Sequence, residues 1–147
     1  MEDQSEFYRY IAWKTPVEMH FSCLQWISYL DFIRDEHRFF EDILKEYTLP
    51  VIEAHLFEKA RKLVNDLSLS EHEEKALTRK LIAHRNDLQI MIDGIDQLKE
   101  EQEYSAEHGK LKLEVSKYTD KYRNLKKEIF EIITSALKKQ KQNWLLP

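Results

Sequence analysis

Glycine and proline together supply only five of the 147 residues. Sheets and irregular folds need frequent punctuation by these residues, so their scarcity points to few, long elements. It also excludes phosphate-cradling loops, which need clustered glycines so that the backbone can approach the phosphate. Gly94 and Gly109 stand alone. Cys23 is the only cysteine, which excludes an intramolecular disulfide and a cysteine-based zinc site within one chain. A reducing compartment is the default for such a chain, and a small buried hydrophobe is the default role for the thiol. The sequence has no run of the ~20 apolar residues that a membrane span requires. Its first six residues carry three acids and no base, without the basic start and apolar run of a secretory signal. The expectation is a cytoplasmic protein with no membrane attachment.

What is present is amphipathic. Hydrophobic residues make up 42% of the chain, too many for a disordered one, while charged residues reach 34%. Leu77, Leu81, His84, Leu88, Met91, Ile95 and Leu98 fall at alternating steps of four and three. Leu111, Val115, Tyr118, Tyr122, Leu125, Ile129, Ile132 and Ala136 do the same. Because a helix turns once per ~3.6 residues, each set forms one apolar seam suited to coiled-coil-like packing. The predicted fold is all-α: an elongated antiparallel bundle of three or four long helices.

The predicted organisation is an aromatic arm over 1–14, one helical-bundle domain over 15–141 and a short tail over 142–147. Thr15 and Glu18 form a capping box with Pro16 at the first helical position, so a helix starts there and runs to about Tyr47. Its apolar residues cover more than one face. Trp26, Tyr29 and Phe32 are the candidates for a second, outward face that contacts a partner. Pro50 bends or breaks the chain, leaving open a turn or a kinked continuous helix. A second helix is predicted over 50–67, with Ile52, Leu56, Ala60, Leu63 and Leu67 inward. Ser68-Leu69-Ser70 then reads as a connection, with Ser70 and Glu73 capping a third helix. That helix either stops at Asp93, with Asp96 capping a fourth, or runs through Gly94 to about Glu103. The last helix reaches about Gln140, and Trp144 and Leu145 in the tail are expected to dock back on the bundle.

The six histidines do not form a known helical metal motif. Di-iron bundles use Glu-x-x-His, and the positions three before each His hold Val17, Arg34, Ile52, Leu69, Leu81 and Ser105. No His-x-x-x-His pair occurs either. His55 and His84 with Glu58 or Asp87 are the residual metal candidates, should the second and third helices form a tight hairpin that brings them level. The competing role for His84 is a polar seam residue that fixes register. His20, His72 and His108 are expected at the surface or at helix ends. The acids of the first helix, interleaved with Arg34, Arg38 and Lys45, read as a solvated flank rather than a catalytic pair. Cys23 beside His20 lacks a visible orienting group for nucleophilic work.

Charge is uneven: residues 107–147 carry a net +5 and the remainder −9. A basic end beside an acidic body can dock on itself, on a second copy or on an acidic partner. Glu114, Asp120, Glu128 and Glu131 interrupt the lysines of the last quarter, which argues against a nucleic-acid face. The segment Trp13-Lys14-Thr15-Pro16-Val17-Glu18-Met19-His20, with Trp26 and Asp35-Glu36, resembles a set of short uncharacterised bacterial all-helical proteins. That resemblance implies an all-α domain and no particular activity. The functional expectation is a non-catalytic, cofactor-free interaction or scaffold protein that forms homo-oligomers or binds a protein partner. The alternative is a metal-binding bundle.

Overall fold

A computed structural model describes residues 15–93 and 98–145, with side chains described over 15–90 and 101–145. The expected aromatic arm and the Gly94–Asp96 region lie outside the described residues. Among the described residues there are four helices: α1 (Pro16–Glu46), α2 (Thr48–Glu53), α3 (Phe57–Asp93) and α4 (Leu98–Leu145). The three long ones, α1, α3 and α4, pack antiparallel, so the all-α expectation holds with three long helices.

The start of α1 follows its sequence signals. The Glu18 backbone N–H donates to Thr15 Oγ1 at 3.2 Å, and the Thr15 N–H donates to Glu18 Oε2 at 3.4 Å. This reciprocal pair satisfies two donors that a helix N-terminus otherwise leaves open.

Contacts divide the chain into two compact units. The first contains the described residues up to Asp31 together with Lys75–Tyr118, and the second contains Phe32–Glu74 together with the described residues from Thr119 onward. In the first unit, Met19, Leu88 and Tyr104 form one buried apolar cluster. In the second, Val51 and Ala54 pack on Ala136 of α4, with Leu56 and Ala60 alongside.

Pro50 ends α1, but not by a simple kink. Having no N–H, it cannot bond the carbonyl four residues earlier, that of Glu46, which is the last residue of α1. Pro50 itself is accommodated in the first turn of α2, where an N–H would lack an intrahelical partner anyway. The reversal comes after α2, at Ala54–Leu56, and His55 takes it in a left-handed conformation with φ 59°. No glycine marks this turn in the sequence. A left-handed L-residue costs roughly 1–2 kcal/mol, and glycine recovers most of that at some cost in unfolded-state entropy. His55→Gly is therefore expected to stabilise the protein by about 0.5–1 kcal/mol in urea unfolding. A loss of stability would show that the exposed imidazole makes a contact the backbone argument omits.

The predicted connection at Ser68–Ser70 does not exist. Helix α3 runs unbroken from Phe57 to Asp93, merging the predicted second and third helices. Its buried line is Leu63, Leu67, Ser70, Glu74, Leu77, Leu81, His84 and Leu88, again at steps of four and three. Ser70 is thus a buried seam residue, not a cap, and Glu73 pairs with Lys121 Nζ at 2.8 Å rather than closing a capping box. Ile52, placed inward by the predicted second helix, is exposed.

The α4 seam extends further than its apolar stripe. Tyr104 and His108 precede Leu111 in the same rhythm, and all the predicted residues from Leu111 to Ala136 are buried. The helix continues to Leu145, five residues beyond the predicted end near Gln140. Trp144 and Leu145 are 81% and 75% exposed, so they do not dock on the bundle as expected.

Candidate functional site

The seams carry polar side chains in both units, and these are the first candidates for chemistry. In the first unit, His84 Nε2 of α3 and His108 Nδ1 of α4 share a hydrogen bond of 3.1 Å. The His84 ring stacks on Tyr104, with centroids 4.0 Å apart and planes 7° from parallel. The Tyr104 hydroxyl donates to the His84 carbonyl at 2.6 Å. Trp26 of α1 stacks on His108 with centroids 4.7 Å apart. His108 is fully buried, which corrects the expectation of a surface or helix-end position. Its signal was available: 108 lies three before Leu111 and four after Tyr104, on the heptad of α4.

Burial sets the protonation states of this cluster. It lowers the His84 pKa to about 4, with the charge of Asp87 acting weakly the other way. It pushes the Cys23 thiol up to about 11, with Arg85 opposing, and raises the Tyr104 phenol. Near neutral pH these three groups are therefore uncharged. The Cys23 Sγ–H donates to the Leu81 carbonyl at 3.2 Å. A protonated, buried thiol is a poor nucleophile, and the hydrogen bonds of this cluster join α3 to α1 and α4.

The second unit is held by charge. Arg34 of α1 makes a forked pair with Glu74 of α3, Nη2 to Oε1 at 2.9 Å and Nε to Oε2 at 3.4 Å. One turn along α1, His37 Nε2 and the Ser70 hydroxyl share a hydrogen bond of 2.9 Å. The His37 ring meets Tyr122 edge-on, at 5.3 Å between centroids. Glu36 accepts from the Tyr122 hydroxyl at 3.0 Å and from Lys126 Nζ at 2.7 Å. Burial lowers the His37 pKa, opposed by the carboxylates of Glu74, Glu41 and Glu36. All these bonds join different helices. They specify which residues face each other, as a polar seam residue does in a coiled coil.

The predicted metal candidates do not assemble. His55 is exposed in the turn of the second unit, and His84 is buried in the first. The hairpin that would have brought them level is absent because α3 is continuous from Phe57 through His84. Glu58 and Asp87 are both exposed and join neither histidine in a ligand set. Among the described residues, no group of three His, Cys, Asp or Glu side chains is placed to hold a metal ion. A groove of about 420 Å³ in the second unit is lined by Lys59, Lys62, Glu128 and Glu131 with apolar residues between. Its mixed charges do not converge on one ligand type. No described helix is long and apolar enough to cross a membrane.

The predicted interaction residues divide. Trp26 faces inward, at a seam position between Cys23 and Leu30 and against His108. Tyr29 and Phe32 lie on the exposed side of α1. With them the structure exposes Val17, Phe21 and Leu24 in the first unit and Phe39 in the second. At ~100° per residue, Val17, Phe21, Leu24, Phe32 and Phe39 fall in one arc of about 80°. That arc lies opposite the seam formed by Met19, Cys23, Leu30, Ile33, His37, Phe40 and Leu44. The excess of apolar residues on this helix was visible in the sequence, but it did not reveal which of them pointed outward.

Comparison of the chain with family models, curated proteins and solved structures finds no match.

Proposed function

We propose that the chain is a non-catalytic interaction or scaffold protein that associates with itself through the outward face of α1. The supporting observation is the exposed strip of Phe21, Leu24, Phe32 and Phe39 opposite a complete, buried seam. A helix packed on one side only needs one apolar face, and the other is ordinarily polar. Ser28, Asp35 and Asp42 interrupt the strip, but its exposed phenyl rings are of the kind that dominates the energetics of protein contacts. The buried polar groups support the non-catalytic half of this reading, because their hydrogen bonds tie one helix to another within the same unit.

Light scattering over a dilution series is the test. The full chain is expected to gain mass toward a dimer as concentration rises. Phe21→Asp and Phe32→Asp should each hold it as a monomer at concentrations where the parent associates. Folding should survive, since exposed substitutions change stability by only about 0.5 kcal/mol. A parent protein that is monomeric at every concentration overturns self-association.

A further inference from the structure

We infer that the last turns of α4 are a docking element, and that they seat on the acidic outer strip of α1 in a second copy of this chain. This rests on the reading of α1 as an interaction face and names an occupant for its second half.

Ala136 is the last α4 residue in the buried cluster with Val51 and Ala54. From there α4 stays helical to Leu145, a rise of roughly 13 Å past that level. Lys141 through Leu145 are all exposed. Leu137, Lys138, Lys141, Trp144 and Leu145 share one arc of about 120°, counting ~100° per residue. Lys139 lies outside that arc and donates to the Ala54 carbonyl at 2.9 Å, which fixes the orientation of the overhang against the turn. The element is therefore a helix end with two cations and three apolar side chains on a single face.

A surface of matching chemistry lies on α1. Asp35, Phe39, Asp42 and Glu46 repeat at steps of four, three and four, all are exposed, and Phe32 extends the line. Three carboxylates alternate with phenyl rings along this strip, and Arg38 stands at its edge. Acid-and-phenyl on one side and lysine-with-Trp-and-Leu on the other are complementary in charge and in apolar content. The overhang cannot reach the strip of its own chain. A helix that continues straight past the turn does not fold back, and the strip faces away from the seam on which α4 packs. A second copy can satisfy both surfaces at once. The strip runs along α1 in the second unit and ends at Glu46, just before the turn that the overhang passes, so its last turns and the overhang sit at the same end of that unit. Two copies related by a twofold axis at that end would each lay an overhang on the other's strip. The contact is small, so a weak, salt-sensitive dimer is the form expected.

Charge reversal in the full-length chain tests this. Lys138→Glu/Lys141→Glu and Asp35→Lys/Asp42→Lys, each alone, should weaken dimerisation by about tenfold or more in sedimentation velocity. Mixed in equal amounts, the two variants should form a heterodimer, because each overhang then meets a strip of opposite sign. Trp144→Ser should weaken the parent dimer without changing helicity. If both charge variants dimerise as the parent does while Phe32→Asp does not, the overhang is not the occupant, although the α1 face stands. If the parent never dimerises, both readings fail together.

Discussion

Replacing Arg34 with Met is expected to destabilise the protein by about 3 kcal/mol, whereas Glu74→Leu should cost far less. The asymmetry comes from where the two charges sit. The Glu74 side chain is 1% exposed, on the seam of α3 between Ser70 and Leu77, while the Arg34 side chain is 40% exposed. Arg34 can turn its guanidinium to water when its partner disappears. Glu74 cannot follow its own partner out, and removing the guanidinium takes away two charge-assisted hydrogen bonds from a carboxylate in a desolvated seam. The double variant, Arg34→Met with Glu74→Leu, should return most of the loss, since a buried pair replaced by apolar side chains of similar volume is often neutral or better. Urea unfolding of the two single variants and the double closes the cycle. An Arg34→Met cost below ~1 kcal/mol, the range of surface pairs, would mean that water already reaches Glu74 and that the fork does not hold it.

Glu74 also explains why half the seam was hard to read from the sequence. The α4 stripe was legible because every position from Leu111 to Ala136 is apolar, aromatic or alanine. The α3 seam has the same rhythm, but Ser70 and Glu74 occupy two of its positions. By local pattern Ser70 reads as the end of a connection and a helix cap, and Glu74 as an ordinary polar residue beside the capping Glu73. They are buried only because α1 brings His37 and Arg34 to meet them, and that is tertiary information absent from local pattern. His108 was overlooked for the same reason: apolar spacing skips a histidine that stacks on Trp26 and bonds His84. On α1 the difficulty was the opposite one. Its seam is regular, but a second apolar strip across the helix hid which residues faced in, so Trp26 was assigned to the wrong side. The reversal at His55 gives only a weak signal, because histidine enters left-handed φ more readily than most residues but stands where glycine is usual. The capped start of α1 and the α4 seam are thus local properties, whereas the continuity of α3, the polar layers and the outward strip depend on which helices meet.

Acidification from pH 6.5 to 4 is expected to cost the native state about 3 kcal/mol through His84 alone. The unfolded chain protonates this imidazole as pH falls through the ordinary histidine value of 6.5, whereas the folded chain resists until about 4. Across that window the unfolded state binds more protons, so stability falls as pH falls, and the loss is complete once pH drops below the folded value. The surroundings explain the resistance. Cys23 of α1 and Tyr104 of α4 are neutral throughout the window, and His108 already shares the Nε2 hydrogen bond. Only Asp87, exposed on α3, favours the imidazolium, and burial outweighs it. His84→Phe keeps an aromatic ring against Tyr104 and removes the titrating group. Urea unfolding of parent and variant at pH 7 and pH 4 should therefore show a drop smaller by about 3 kcal/mol in the variant. Some acid sensitivity should remain, because burial lowers the His37 pKa in the same direction. Equal drops in the two proteins would mean that His84 titrates near its ordinary value, and that water reaches the layer between α3 and α4.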